Sequence, residues 1–258
     1  MGTVNLMEAA RSCASVRAIL IVTSDKCYEN IEADHYFEED DKLGGYDPYS
    51  ASKGCTEVAT NAMRRSFFGK NKHPARIATV RAGNVIGGGD WSEDRLVPDI
   101  IRGCLSDEGL VTLRSPNALR PWQHVLDPLS AYLRIAELLY KTERGYDEAW
   151  NIGPDDAETH PVVDVATALV TALGKGKIEI SSNRDTLHEA NVLVLDCAKA
   201  NSRLGWRPVS EFDSTISMTA EWYRAWIAGN NMADFTTSQI KLFEHSAKDK
   251  TVGLVNDK

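Results

Sequence analysis

Residues Ala18 to Val22 read AILIV, an unbroken apolar run between polar neighbours. Such a run suits a strand covered on both faces, as in a parallel sheet whose crossover helices pack on either side. A second run, RIATVRA, spans residues 76 to 82. Between them Asp47 is placed to cap a helix with Pro48 in its first turn, and Ala51, Cys55, Val58, Ala59 and Ala62 recur as an apolar stripe. Upstream, Leu6, Ala9, Ala10 and Cys13 recur at helical spacing with no capping residue ahead of them, so that helix reads as cut into. Helix, strand, helix, strand is the order of an α/β fold, whose ligands gather at the carboxyl ends of the strands. Those ends are TSDK, residues 23 to 26, and AGNVIGGGDW, residues 82 to 91.

Farther on, periodicity predicts helices near 96–105, 128–140, 162–173, 197–204 and 211–228, with strands at VTL and EAWNIG and a weakly ordered tail from about residue 231. The 258 residues suffice for a sizeable core. A net charge of −8 argues against general affinity for nucleic acid or an anionic membrane surface. No run has the length and apolarity of a membrane helix, and none resembles a signal peptide, so the reading is cytoplasmic. The 5 cysteines are scattered, contain no C-x-x-C pair, and read as small fillers in a reducing compartment; no metal site is expected.

Two short stretches carry chemistry. In YDPYSASKGC, Tyr49 and Lys53 lie one helical turn apart on one face, where the ammonium favours the phenolate and so makes the phenol a base for a hydroxyl proton. The same letters also fit an ordinary helix start with a solvated lysine. In TSDKCYEN, Ser24 and Asp25 end a buried strand, one able to hydrogen-bond a substrate hydroxyl and the other to act as an acid; strand-end capping is the alternative. Glycines 87–89 have no helix start at the distance a phosphate cradle needs and read as a flexible loop over the substrate.

Taken in order, TSDKCYEN, GGYDPYSASKGC, RAGNVIGGGDWSEDRLVPD and RPWQHVLDPL resemble the extended short-chain dehydrogenase/reductase superfamily in its sugar-nucleotide branch, and within it the CDP-glucose 4,6-dehydratase family. The resemblance covers nearly the whole chain up to about residue 228. It implies NAD as cofactor, a nucleotide sugar as small-molecule substrate, and a homo-oligomer, dimer or tetramer, in the complete protein. The implied reaction is an internal redox dehydration of CDP-glucose to its 4-keto-6-deoxy product, for deoxysugar and surface polysaccharide synthesis.

By the resemblance, Tyr49 is the base at the 4-hydroxyl, Lys53 holds the nicotinamide ribose and tunes it, and Thr23 joins them in cofactor binding. Ser24 orients the 4-hydroxyl and Asp25 protonates the departing 6-hydroxyl. Lys26 stands where related dTDP-glucose dehydratases carry a glutamate that handles the C5 proton; a lysine does this only if burial or nearby cations lower its pKa. Arg120, Asn84, Arg95, Asn151 and His188 are the implied substrate-binding residues, although Arg184 lies four residues before His188 rather than three. The implied fold is an incomplete NAD(P)-binding Rossmann-type parallel sheet, residues 1–152 with a substrate-loop insertion at 84–117, followed by a smaller α/β substrate region, 153–258. The Gly-rich turn that binds a dinucleotide pyrophosphate is not in this sequence; by the resemblance it belongs to roughly 90 preceding residues, and affinity for NAD is expected to fall without it. Two readings stand beside this one: another sugar-nucleotide epimerase or dehydratase, and a non-catalytic remnant or interaction protein.

Overall fold

The computed structural model describes residues 1–30, 35–69, 72–141, 145–154, 159–181 and 193–256. The first elements are α1 (Gly2–Arg11), β1 (Ala18–Val22), β2 (Tyr36–Phe37), α2 (Pro48–Phe67), β3 (Arg76–Arg81) and β4 (Val85–Ile86). Then come α3 (Leu96–Leu105), β5 (Leu110–Leu113), β6 (Leu119–Arg120), β7 (Gln123–His124), α4 (Leu126–Tyr140) and β8 (Ala149–Asn151). The remainder is β9 (His160–Pro161), α5 (Val162–Leu173), β10 (Lys177–Ile180), β11 (Val194–Leu195), α6 (Phe212–Ile227) and α7 (Met232–Asn256). They form two compact units, Met1–Gly83 with Pro128–Ala157 and Leu193–Arg207, and Asn84–Asp127 with Glu158–Val192 and Pro208–Lys258. A single cut after residue 152 does not describe this arrangement. Residues 84–117, expected as a loop insertion in the first domain, hold α3 and β5 in the core of the second unit, and residues 193–207 return to the first.

In the first unit β1, β3 and β8 form a parallel sheet in that order, with Val22 opposite Val80 and Arg81 opposite Asn151. Strand side chains alternate between faces. One face sets Ile19, Ile21 and Ile77 against Met7 of α1 and Met63 of α2; the other sets Ala78 and Val80 against Ile135 and Leu139 of α4 and against Trp150. The expected two-sided burial of AILIV holds for its centre, while Val22 at its end is exposed.

The stripe expected to bury α2 does not do so. Ser50, Gly54, Glu57, Thr60 and Met63 face inward, while Cys55, Ala62 and the 59% exposed Val58 face out. The inward face is more polar than the outward one because β1 and β3 end in polar side chains that pair with Glu57.

In the second unit α3, α5 and α6 close around Ile100, Ile101, Val165, Leu169, Ile216 and Tyr223, with β5 and β10 as a parallel pair beside them. The tail expected to be weakly ordered is α7. Asn231 caps its first turn, Thr236 accepts a hydrogen bond from Trp222 Nε1 at 2.9 Å, and Gln239 donates to the Met218 carbonyl at 2.8 Å. Glycines 87–89 are packed rather than a free cover: an added Cβ on Gly88 would fall 2.0 Å from Cγ of Trp222, and one on Gly87 2.7 Å from Val125. Among the described residues no helix is long and apolar enough to cross a membrane.

Candidate active site

The chain leaves β1 through Thr23 and turns at once. Ser24 caps a single 3-10 turn, Asp25–Cys27, in which its Oγ accepts from the Lys26 amide at 3.2 Å and donates to Asp25 Oδ1 at 2.7 Å. The same Oδ1 accepts from the Lys26 amide at 2.8 Å, so a carboxylate only 5% exposed is held by its own turn. Space for it comes from the end of β3, since a Cβ on Gly83 would lie 2.1 Å from Asp25 Oδ2.

Helix α2 starts beside this turn. Asp47 accepts from the amides of Tyr49 and Ser50 at 2.8 and 3.0 Å and from Ser50 Oγ at 2.5 Å. The Ser50 hydrogen bonds, and to a smaller degree the charge of Lys26, hold the Asp47 carboxyl below its ordinary pKa. Two glycines allow close approach. Gly54 lies against the Cys27 carbonyl, 3.3 Å from where a Cβ would sit, and a Cβ on Gly45 would fall 2.3 Å from the Ala51 amide. The turn that carries Ser24 and Asp25 is thereby packed on the helix that carries Tyr49 and Lys53. Lys53 Nζ lies 5.5 Å from the centre of the Tyr49 ring, as the spacing of four predicts, and the phenol is 53% exposed.

The other expected site residues fare differently. Lys26 is exposed, so the burial that would make it a base is not provided. Thr23 is committed to protein: its hydroxyl donates to Glu57 Oε1, with the Val80 carbonyl 3.2 Å away. Asn151, expected at a phosphate, is 0% exposed; its Oδ1 accepts from Tyr28 at 2.7 Å and its Nδ2 donates to the carbonyls of Phe37 and Asp196 at 2.7 and 3.1 Å. Neither has the free donor that a ligand would need, and both are structural in this arrangement.

The second unit holds three more. Asn84 adopts φ 52, a left-handed conformation that asparagine tolerates better than most residues, and accepts from the Gln123 amide at 3.2 Å. Arg95 is exposed at the start of α3, 3.9 Å from Asp90, and Arg120 is buried in β6 with Nη1 donating to the Leu119 carbonyl at 2.7 Å. His188 lies outside the described residues.

Sequence reasoning missed the group beneath Tyr49 and Ser24. Glu57, 3% exposed, accepts from Thr23, from Thr79 Oγ1 at 2.7 Å and from Arg81 Nη2 at 2.9 Å. Arg81 extends the network through Nη1 to the Tyr28 hydroxyl at 2.7 Å and the Glu39 carbonyl at 2.9 Å. Burial opposes the Arg81 charge, but the hydrogen bond and charge of Glu57 outweigh it and raise its pKa above the ordinary value. Burial pushes the Tyr28 phenol up despite Arg81, and the Cys27 thiol up to about 12. The available signal was an arginine ending a buried strand with a glutamate one helix earlier, which together ask for an ion pair.

A CDP-glucose 4,6-dehydratase of Salmonella typhimurium is 43% identical over 235 residues, covering 90% of this chain and 65% of that protein. A dTDP-glucose 4,6-dehydratase of Streptomyces antibioticus is 28% identical, covering 87% of this chain and 62% of its own length. The chain thus spans less than two thirds of these curated relatives. Among solved structures, the dTDP-glucose 4,6-dehydratase of Bacillus anthracis in complex with NAD superposes with a TM-score of 0.70 at 23% identity, over 86% of this chain and 66% of that one. The UDP-glucose 4-epimerase of Thermotoga maritima with UDP-glucose superposes at 0.73 with 20% identity, over 88% and 69%. These two likenesses establish the fold, a mixed α/β arrangement with a parallel sheet. Residues 1–153, more than half of the chain, match the NAD dependent epimerase/dehydratase family, and the chain belongs to that family.

Proposed function

We propose that this protein takes part in the dehydration of CDP-glucose to CDP-4-keto-6-deoxyglucose, as its Salmonella typhimurium relative is named for. Asp25 carries the reading. A sugar-nucleotide epimerase moves a proton and a hydride at C4, whereas a 4,6-dehydratase must also expel the 6-hydroxyl, which needs an acid. Here a buried carboxyl adjoins the hydroxyl of Ser24, in a space that Gly83 leaves open.

Tyr49 takes the proton of the 4-hydroxyl, with the Lys53 ammonium 5.5 Å from the centre of its ring. The Ser24 hydroxyl donates a hydrogen bond to Asp25 Oδ1, which leaves a lone pair on its oxygen to accept from a substrate hydroxyl. Asp25 in its protonated form donates to the 6-hydroxyl as that group leaves. The proton at C5 is not assigned to Lys26, which is exposed. The donor set fits the nicotinamide-ribose end of NAD: an ammonium and a phenol side by side on one helix face suit ribose hydroxyls. When bound, NAD supplies the acceptor and then the donor of hydride. The pyrophosphate has no Gly-rich turn in this sequence, so the cofactor is to be supplied in excess.

Arg120 and Arg95 are the candidate phosphate ligands among the described residues of the second unit. Self-association through the outward face of α2, with Cys55, Val58 and Ala62 exposed, is the proposed oligomeric contact, and sedimentation of wild type against Val58→Glu tests it. The test of the function is incubation with CDP-glucose and saturating NAD+. The 4-keto chromophore is expected from wild type, with Asp25→Asn stalling after oxidation so that reduced cofactor accumulates. A product epimerised at C4 without loss of the 6-hydroxyl would replace this reading with an epimerase.

A further inference from the structure

Two strand rows that begin apolar end polar at the same level of the sheet. Ile19 and Ile21 are followed at the next same-face position by Thr23, and Ile77 by Thr79 and Arg81. All three polar side chains end on one carboxylate, Glu57, in the inward face of α2. Glu57 lies 8 residues beyond Tyr49, and so about 12 Å along the helix axis. Thr23 directly precedes Ser24, whose Oγ and carbonyl cap the Asp25–Cys27 turn. One buried carboxylate therefore ties the helix of Tyr49 to the strand end that feeds Ser24 and Asp25. Arg81, which is ion-paired with Glu57 at 2.9 Å, also binds Tyr28 at the far end of that turn.

We propose that Glu57 is a positioning residue that, through Thr23, fixes the Ser24–Asp25 turn relative to the Tyr49–Lys53 helix. This deepens the functional reading above and rests on it for its effect on turnover, while the fixing of the turn stands apart from any reaction. An apolar contact between α2 and the sheet would bury the helix as well but would let it slide. A carboxylate holding three directed donors in low dielectric does not, and an error of one ångström between reacting groups is costly.

The test compares two mild variants that keep the Glu57–Arg81 pair. Thr23→Val cuts the link to the turn; Thr79→Val removes a hydrogen bond to the same carboxylate from the middle of β3 and serves as the control for stability. Amide hydrogen exchange reads the turn at Lys26, Cys27 and Tyr28, whose amides bond to Ser24 Oγ, the Ser24 carbonyl and the Asp25 carbonyl. Thr23→Val is expected to lower protection of these amides at least tenfold while β3 amides stay within twofold of wild type, and Thr79→Val to leave the turn within twofold. An unchanged turn in Thr23→Val, or equal loosening in both variants, overturns the proposal. With CDP-glucose and saturating NAD+, Thr23→Val is expected to lower kcat at least tenfold with KM within twofold. A rise in KM at constant kcat overturns it in favour of a direct binding role. Absence of turnover in wild type overturns the functional reading alone and leaves the exchange result to decide this one.

Discussion

Asp25 and Gly83 are fitted to each other: the carboxylate at the end of β1 occupies the volume that a side chain at the end of β3 would fill, with 2.1 Å between Oδ2 and the position of a Gly83 Cβ. Replacing Gly83 by alanine must displace Asp25, its partner Ser24, or the strand end. The expected cost is about 1–3 kcal/mol of stability, the usual range for overpacking a closed site. Loss of turnover should exceed what that destabilisation explains, and urea unfolding alongside the 4-keto assay checks both. Full turnover in Gly83→Ala would show that Asp25 is not needed where it stands.

Removing one partner of the Glu57–Arg81 pair leaves the other charge buried, with side chains 3% and 4% exposed in the folded chain. Either Glu57→Leu or Arg81→Leu should lose about 3–5 kcal/mol, and the double variant Glu57→Leu with Arg81→Leu should lose less than the sum, because no charge is stranded. Chemical denaturation of the four proteins measures the coupling directly.

His124 is buried in β7, and desolvation lowers its pKa from 6.5 to about 4. The unfolded chain therefore binds the proton more readily than the folded one between those values. Stability contributed by the neutral imidazole is fully present above pH 6.5 and is lost as pH falls toward 4, by about 3 kcal/mol at most. His124→Asn should be less stable than wild type at neutral pH but should show a shallower decline between pH 6.5 and 4. Parallel declines in the two proteins would assign the acid sensitivity to other groups.

Gly88 lies on the Trp222 ring so closely that an added Cβ would meet Cγ at 2.0 Å. Gly88→Ala should destabilise by about 1–3 kcal/mol. Trp222→Ala removes Cγ and Cδ2, the two closest obstructing atoms, so the double variant should be more stable than additivity predicts. Thermal unfolding of the cycle is the check; strict additivity would mean that the glycine run is mobile after all.

Much of this arrangement was legible in the sequence where periodicity and burial agree. Helices 96–105 and 162–173 fall at their expected bounds because their apolar spacing matches the core they fill. It misled where a buried face is polar. The stripe of Ala51, Cys55, Val58 and Ala62 is the more apolar side of α2, yet Glu57 lies on the inner side because its partners arrive from strands 34 residues before it and 22 and 24 after. Asn151 and Thr23 carry the letters of ligand-binding residues and are used up by neighbours distant in sequence. The tail beyond residue 231 has a weak apolar pattern of its own, and its helix is fixed by single contacts such as Thr236 to Trp222.

Tyr49 and Lys53 were legible as a pair because they need only helical geometry, and their partnership with Ser24 and Asp25 rests on the packing of Gly54 against the Cys27 carbonyl. The most direct measurement supplies CDP-glucose deuterated at C4, with saturating NAD+, and follows the label by NMR. The account predicts CDP-4-keto-6-deoxyglucose carrying the deuterium at C6 from wild type, and at least a hundredfold slower formation from Tyr49→Phe with unchanged stability, in line with loss of a general base. Formation of no keto product, or of one from Tyr49→Phe at the wild-type rate, would contradict it.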